Sequence, residues 1–148
     1  MSEKNNKKEK EPITVESLRK GYFKGKTFSE LLALPPKDSD KKSDEELVLL
    51  IINGAEKMMK KHAKKITYTQ LRNVMATVKD KKFETDYTGL LRAVPRLAYM
   101  QGRPQKKEGG DKIIGFIREL AGAVRSNDQY KAFEEIVNAL VAYHKVYG

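Results

Sequence analysis

The chain has 148 residues, a formal net charge of +10 and no cysteine. This length suits one domain with a real core, and the lack of cysteine excludes disulfides, zinc–thiolate sites and cysteine nucleophiles. Its N-terminus lacks the apolar segment of a signal peptide, and its longest aliphatic run is too short to cross a bilayer, so we expect a cytoplasmic protein with no membrane partner.

Three segments of different composition follow one another along the chain. Residues 1–12 are polar, charged and low in complexity, which predicts a disordered tail. Residues 13–42 hold a short helical segment and then a linker that begins at Pro35 and Pro36. Residues 43–148 carry the regular apolar spacing of a helical domain.

The helical domain begins with two helices whose starts are marked by capping residues. Ser43 is a favourable N-cap and precedes an acidic first turn. The predicted apolar side of this first helix consists of Leu47, Val48, Ile51, Ile52, Ala55, Met58 and Met59. Lysines occupy its other side. A second helix is expected from Thr67, because Gln70 three residues later completes a capping box. Its predicted buried residues are Leu71, Val74, Met75 and Val78.

The stretch LLRAVPRLAYMQGR, residues 90–103, predicts a two-faced helix, with Thr85 as a plausible cap. Its apolar side consists of Leu90, Leu91, Val94, Leu97 and Ala98. On the opposite side, between about 180° and 240° from Leu90, lies a group that we call the arginine stripe: Arg92, Arg96, Tyr99 and Arg103. Pro95 removes a backbone donor and is expected to bend this helix.

Two more helices are predicted to begin at about Asp111 and at about Asn127. In the last one, His144 falls near the apolar face, which indicates a hydrogen-bonded core residue. No segment alternates with a period of two, so no sheet is expected. The predicted fold is all-α, a compact bundle of about five helices with a disordered N-terminal tail.

The positive charge is concentrated in the middle third of the chain. Residues 57–82 hold nine basic side chains against a single acid, and residues 92–107 add five basic side chains with no acid. Residues 111–148 hold equal numbers of each sign. Such confinement favours a polyanionic partner at one surface, although a solvated lysine face is the simpler interpretation of residues 57–65 alone.

The arginine stripe has the chemistry of a phosphate-binding surface. Arginine forks bind phosphate oxygens bidentately, and Tyr99 is able to stack on a base or a sugar. Lysines act as point charges along a backbone. Two alternatives remain open. In the first, the arginines pair with carboxylates such as Glu84, Asp86, Glu134 or Glu135. In the second, Tyr99 packs at a helix–helix edge.

The sequence contains few residues in patterns that are typical of catalytic or metal-binding sites. His62 and His144 stand on different helices without metal-ligand spacing, and no phosphate-binding glycine loop is complete. An acid–base pair formed by His144 and Lys145 is conceivable for a nuclease, but adjacent helical residues point about 100° apart. We therefore expect no enzymatic activity, no cofactor and no metal.

Three motifs in one order carry a family resemblance: TYTQLR (67–72), VPRLAYMQGR (94–103) and FEEIVNALVAYHKVYG (133–148). Over roughly residues 44 to 148 the chain resembles the small subunit of type III-A CRISPR–Cas effector complexes, the Csm complexes. The resemblance implies a non-catalytic, all-α subunit that contributes to antiviral defence. Copies of it stack in a filament and line a positive groove, which holds the crRNA–target RNA through its backbone, independently of sequence.

The resemblance also implies which residues contact RNA. Those that match its motifs or its basic positions are Lys64, Lys65, Arg72, Arg96, Tyr99 and Arg103. Lys61 and Arg92 join them on the charge pattern alone. The implied partners are crRNA, target RNA, other Csm subunits and further copies of this chain in a stacked filament. For the isolated chain the sequence leaves both a monomer and a homodimer open. The alternative function is a helical scaffold whose basic face docks an acidic protein.

Overall fold

The computed structural model describes residues 12–38, 42, 44–103 and 108–148. Within them the chain forms seven α-helices, two short 3-10 helices and no strand, so the predicted all-α class is confirmed. The predicted disordered tail lies outside the described residues except for Pro12. The predicted boundaries of the helical segment and of the helical domain stay predictions.

The helices are α1 (Val15–Tyr22), α2 (Phe28–Leu31), α3 (Glu45–His62), α4 (Tyr68–Val78), α5 (Thr88–Gly102), α6 (Gly110–Gly122) and α7 (Asn127–Tyr147). The 3-10 helices are Ala63–Lys65 and Lys81–Glu84. The expected number of about five is therefore too low. The two additional helices are α1 and α2, and each begins with its own capping box, built on Thr14 and on Thr27.

The predicted helix starts are partly confirmed. Thr67 caps α4 as expected, because its hydroxyl accepts from the Gln70 amide at 3.1 Å while the Gln70 side chain accepts from the Thr67 amide at 2.9 Å. Ser43 lies outside the described residues, and the cap of α3 is Asp44, which accepts from the Leu47 amide at 3.0 Å.

Thr85 is not the cap of α5, contrary to the prediction. Its hydroxyl donates to the Lys82 carbonyl at 3.2 Å and so serves the end of the preceding 3-10 helix. The first turn of α5 is held by Asp86, which accepts from the Thr88 amide at 3.2 Å. The Asp86 carboxylate caps this turn in place of the Thr85 hydroxyl because an ionised acceptor makes a stronger hydrogen bond with a backbone amide.

The core is formed where α3 packs against α7 and α5 packs against α6, with α1 crossing both α3 and α6. Most of the predicted apolar sides are buried there. Ile52 is an exception, because 37% of its surface is exposed, so the predicted apolar side of α3 is too wide. Phe23, the residue that follows α1, stacks on Phe116 with ring centroids 5.4 Å apart.

Helix α5 and its neighbour α4 position the arginine stripe. Leu90 and Leu97 are fully buried, so the apolar side of α5 faces the core and the opposite side faces outward. Helix α5 runs from Thr88 to Gly102 without interruption at Pro95. Arg103 follows as an extended residue, with φ −74° and ψ 151°, as expected for a residue that precedes proline.

Candidate nucleic-acid interface

A surface groove of about 690 Å³ runs between α4 and α5, and we call it the arginine groove. Its described lining residues are Asn73, Ala76, Thr77, Gly89, Arg92, Ala93, Arg96, Tyr99, Met100 and Arg103. All four members of the arginine stripe are among them. None of the described lining residues is acidic. The groove is therefore positively charged along one wall and uncharged along the other.

The arginines of the stripe are exposed, and two of them have no carboxylate partner in the described part of the chain. No ion pair within 4.0 Å joins Arg92 or Arg96 to an acid there. Two of the carboxylates predicted as alternative partners have other contacts. Glu135 lies 4.0 Å from the Lys37 ammonium, and Asp86 accepts a hydrogen bond from Thr88. Pairing within the chain thus leaves both guanidinium groups available to an anion.

Tyr99 presents its side chain to solvent. Its exposed fraction is 71%, the largest among the large hydrophobic residues described. This exposure argues against packing at a helix–helix edge within the chain, which was the alternative for this residue. A ring held on the same helical side as Arg96 offers a stacking surface next to a cation.

The structure separates the other predicted contacts from the arginine groove. Lys61 and Lys64 are exposed where α3 ends and the next 3-10 helix begins, and Arg72 is exposed on α4, but none of them lines the groove. Lys65 is half-buried near Gly109. Burial lowers the pKa of Lys65, and Lys61 acts in the same direction while Glu108 opposes the shift. Of the eight predicted residues, four line the arginine groove and four do not.

Sequence reasoning missed the uncharged wall of the groove. Asn73 and Thr77 lie one turn apart on α4, and Met100 lies on α5. The signal was available in part, since Asn73 and Thr77 fall on the polar side of a helix that buries Leu71 and Val74. No local pattern in the sequence indicated that this polar side lies next to α5.

The two histidines are core residues, as predicted for His144. Its Nε2 donates to the Ile66 carbonyl at 2.8 Å and its exposed fraction is 4%. His62 is 5% exposed and its Nε2 lies 2.9 Å from the Tyr22 hydroxyl. Lys145 is exposed and its ammonium lies 5.8 Å from the centroid of the Tyr68 ring. A buried histidine and an exposed lysine do not form a joint acid–base site.

The described residues contain no group of three or more histidine, cysteine, aspartate or glutamate side chains that could hold a metal ion. Among the helices of this part of the chain, none combines the length and the apolar character needed to cross a membrane.

Comparison with known proteins identifies the family. The family model Csm2 Type III-A matches residues 45–148. Neither a curated protein nor a solved structure matches the chain. The match covers more than half of the chain and includes α3 to α7 together with the whole arginine stripe. The chain therefore belongs to the Csm2 family, the small subunit of type III-A CRISPR–Cas complexes.

Proposed function

We propose that this Csm2-family subunit binds the sugar–phosphate backbone of the crRNA–target RNA in its arginine groove, without sequence preference and without catalysing a reaction. The observation that carries the proposal is the groove itself, in which exposed arginines and an exposed tyrosine face uncharged side chains. Such a surface attracts polyanions and offers few groups that discriminate between bases.

The spacing of the arginine stripe suits a phosphate backbone. Arg92 and Arg96 are four residues apart on one side of α5, and Arg103, the extended residue that follows the helix, lines the same groove. Residues four apart on a helix are about 5–6 Å apart at their Cβ atoms. Long arginine side chains with this spacing reach neighbouring phosphates of one strand, and each guanidinium is able to bind bidentately.

Assembly with RNA and with other Csm subunits is part of the proposal. Exposed apolar side chains at Leu49 and Val146, on α3 and α7, support contacts with neighbouring copies, which would stack in a filament or dimerise when isolated. Stacked copies would align their grooves, so that individually weak phosphate contacts add along the RNA. We place this assembly in the cytoplasm.

The proposal is tested by replacing the three arginines of the stripe together with alanine, as Arg92→Ala/Arg96→Ala/Arg103→Ala. We expect the affinity for a generic single-stranded RNA, measured by fluorescence anisotropy, to fall by at least about 10-fold. The slope of log affinity against log salt should become shallower by about 2, because each phosphate contact contributes ~0.7 on single strands. Circular dichroism would verify that the variant is folded.

A charge-matched control removes three lysines at other surfaces, as Lys20→Ala/Lys37→Ala/Lys131→Ala. These lysines lie near Glu16, Glu135 and Asp38, so their loss lowers the net charge equally without touching the groove. We expect this control to bind RNA nearly as wild type does. Equal binding by the arginine variant would contradict the proposal and point to Lys61, Lys64, Lys65 and Arg72. Binding of an acidic protein in place of RNA would favour the scaffold alternative.

A further inference from the structure

A second, smaller cavity of about 240 Å³ opens beside the arginine groove, and we call it the side cavity. Its described lining residues are Gln70, Asn73, Met100, Arg103 and Ile114. Asn73, Met100 and Arg103 line both cavities, so the two adjoin each other. Ile114 is 2% exposed and belongs to the core, so it gives the side cavity an apolar wall.

Two polar residues of the side cavity, Gln70 and Asn73, differ in which of their hydrogen-bonding groups are already used within the chain. The Gln70 carbonyl oxygen is committed to capping α4, since it accepts from the Thr67 amide at 2.9 Å and lies 3.2 Å from the Thr67 hydroxyl. Asn73 is exposed, its backbone carbonyl accepts from the Thr77 hydroxyl at 3.0 Å, and no described residue hydrogen-bonds to its side-chain amide. Its side-chain amide therefore keeps both a donor and an acceptor for a ligand.

We propose that the side cavity receives one unpaired nucleobase of the bound RNA, whose edge is hydrogen-bonded by the Asn73 side-chain amide while the arginine stripe holds the adjoining phosphates. This inference rests on the proposed function and names a new element of the same site. Splayed-out bases bind in this way, with their faces against apolar or aromatic side chains and their edges on polar groups. Met100 and Ile114 supply the apolar contact.

Charge and shape select a nucleobase over other occupants. The side cavity is too small for a duplex, and it opens onto a groove whose arginines favour phosphate groups. A ligand that fills both therefore combines a small, partly apolar group with an anionic backbone, and a nucleotide with its base turned outward has this combination. Tyr99 lies on the same groove and offers stacking to the next base along the strand. The strand held here must have one nucleotide out of its base pair or base stack.

The test compares two fluorescein-labelled probes on the full-length chain: an oligouridylate, and an oligonucleotide with the same ribose–phosphate backbone that lacks its bases. We expect wild type to bind the abasic probe about 10-fold more weakly, because base contacts of this kind are lost. The variant Asn73→Leu, which removes the amide and keeps the size, should lose several-fold in affinity for oligouridylate and bind the abasic probe as wild type does.

The matched control is Asn53→Leu, the same substitution at an exposed position of α3 outside the groove, and we expect it to leave both affinities unchanged. Arg96→Ala should weaken both probes alike. Equal binding of the two probes by wild type would overturn the base contact while the backbone proposal stands. An equal loss for both probes in Asn73→Leu would also overturn it. If wild type binds neither probe, both proposals fail.

A cross-linking measurement provides an independent readout. Oligouridylate that carries one 4-thiouracil base is irradiated with the wild-type chain, and the attached peptide is identified by mass spectrometry. We expect attachment to peptides of α4 and α5 that contain Asn73 or Met100. Attachment only to the lysine-rich end of α3 would contradict the inference.

Discussion

Two histidines with similar burial differ in how their ring nitrogens are satisfied. His144 donates to the Ile66 carbonyl and joins α7 to the segment before α4. His62 contacts the Tyr22 hydroxyl through Nε2, whereas its buried Nδ1 has no partner among the described residues. Burial, together with the smaller effects of the Lys65 and Lys61 charges, lowers the pKa of His62 from 6.5 to about 4. The ring is therefore neutral at physiological pH.

The depressed pKa of His62 predicts a loss of stability in mild acid. Between pH 6.5 and pH 4 the unfolded chain binds a proton at His62 that the folded chain does not, so the free energy of unfolding falls as the pH falls through this window. We expect a loss of about 1–2 kcal/mol from pH 7 to pH 5, at ~1.4 kcal/mol per pH unit. Urea denaturation at a series of pH values measures it.

The variant His62→Gln separates this effect from general acid denaturation. Glutamine cannot titrate and is able to keep a hydrogen bond to the Tyr22 hydroxyl. Its free energy of unfolding should vary less between pH 7 and pH 5 than that of wild type. Parallel pH profiles for the two proteins would show that His62 does not carry the dependence.

At the scale of a single element, α5 combines a buried apolar side with a proline in its interior. Pro95 is exposed and interrupts neither the helix nor the row of stripe residues on either side of it. Because proline lacks an N–H, the carbonyl of Leu91 one turn earlier receives no donor from it. A helix end or a loop would accept proline more easily, so its place between Arg92 and Arg96 suggests that it shapes the groove.

The role of Pro95 is tested by the variant Pro95→Ala. Alanine restores the missing donor and removes the clash with the preceding turn, so we expect the free energy of unfolding to rise by about 1–3 kcal/mol. If the proline sets the angle between Arg92 and the remainder of the arginine stripe, RNA affinity should fall several-fold at the same time. A variant that is more stable and binds RNA equally well would remove this role.

At the scale of the whole molecule, helices outside the family match help to form the core. Residues 45–148 carry the match, yet Phe23 and Leu31 from the preceding segment are fully buried, and Phe23 stacks on Phe116. Gly54 on α3 permits this arrangement. A Cβ atom there would meet the Tyr22 carbonyl oxygen and lie 2.7 Å from the Phe23 ring. The close crossing of α1 over α3 therefore requires glycine.

The crossing predicts a large effect for the variant Gly54→Ala. Although alanine favours helix formation, the added methyl group collides with backbone that cannot rotate away. We expect the free energy of unfolding, measured in urea, to fall by about 1–3 kcal/mol. In the control Gly21→Ala, in α1, no described residue has an atom within 4 Å of the new methyl group, and this variant should be stabilised by about 0.5–1 kcal/mol. Stabilisation by both substitutions would contradict the close crossing.

The sequence by itself determined the helical class, most of the buried sides of α3, α4 and α5, and the arginine stripe. These features depend on residues within a few turns of one another, so a period of 3.6 and a capping box are sufficient to predict them. Two predictions from the sequence were wrong. Asp86, and not Thr85, holds the first turn of α5. Ile52 is exposed, because its burial depends on how far a neighbouring helix extends.

Only the tertiary structure decided which of the cations share a surface. The arginine stripe lines a groove because α4 lies beside α5, and the same packing brings Asn73 next to Met100 across 27 residues of chain and leaves Lys61 and Arg72 outside. The contact between Tyr22 and His62 joins residues 40 apart. Such contacts depend on the complementary shapes of distant side chains, which no local spacing in the sequence contains.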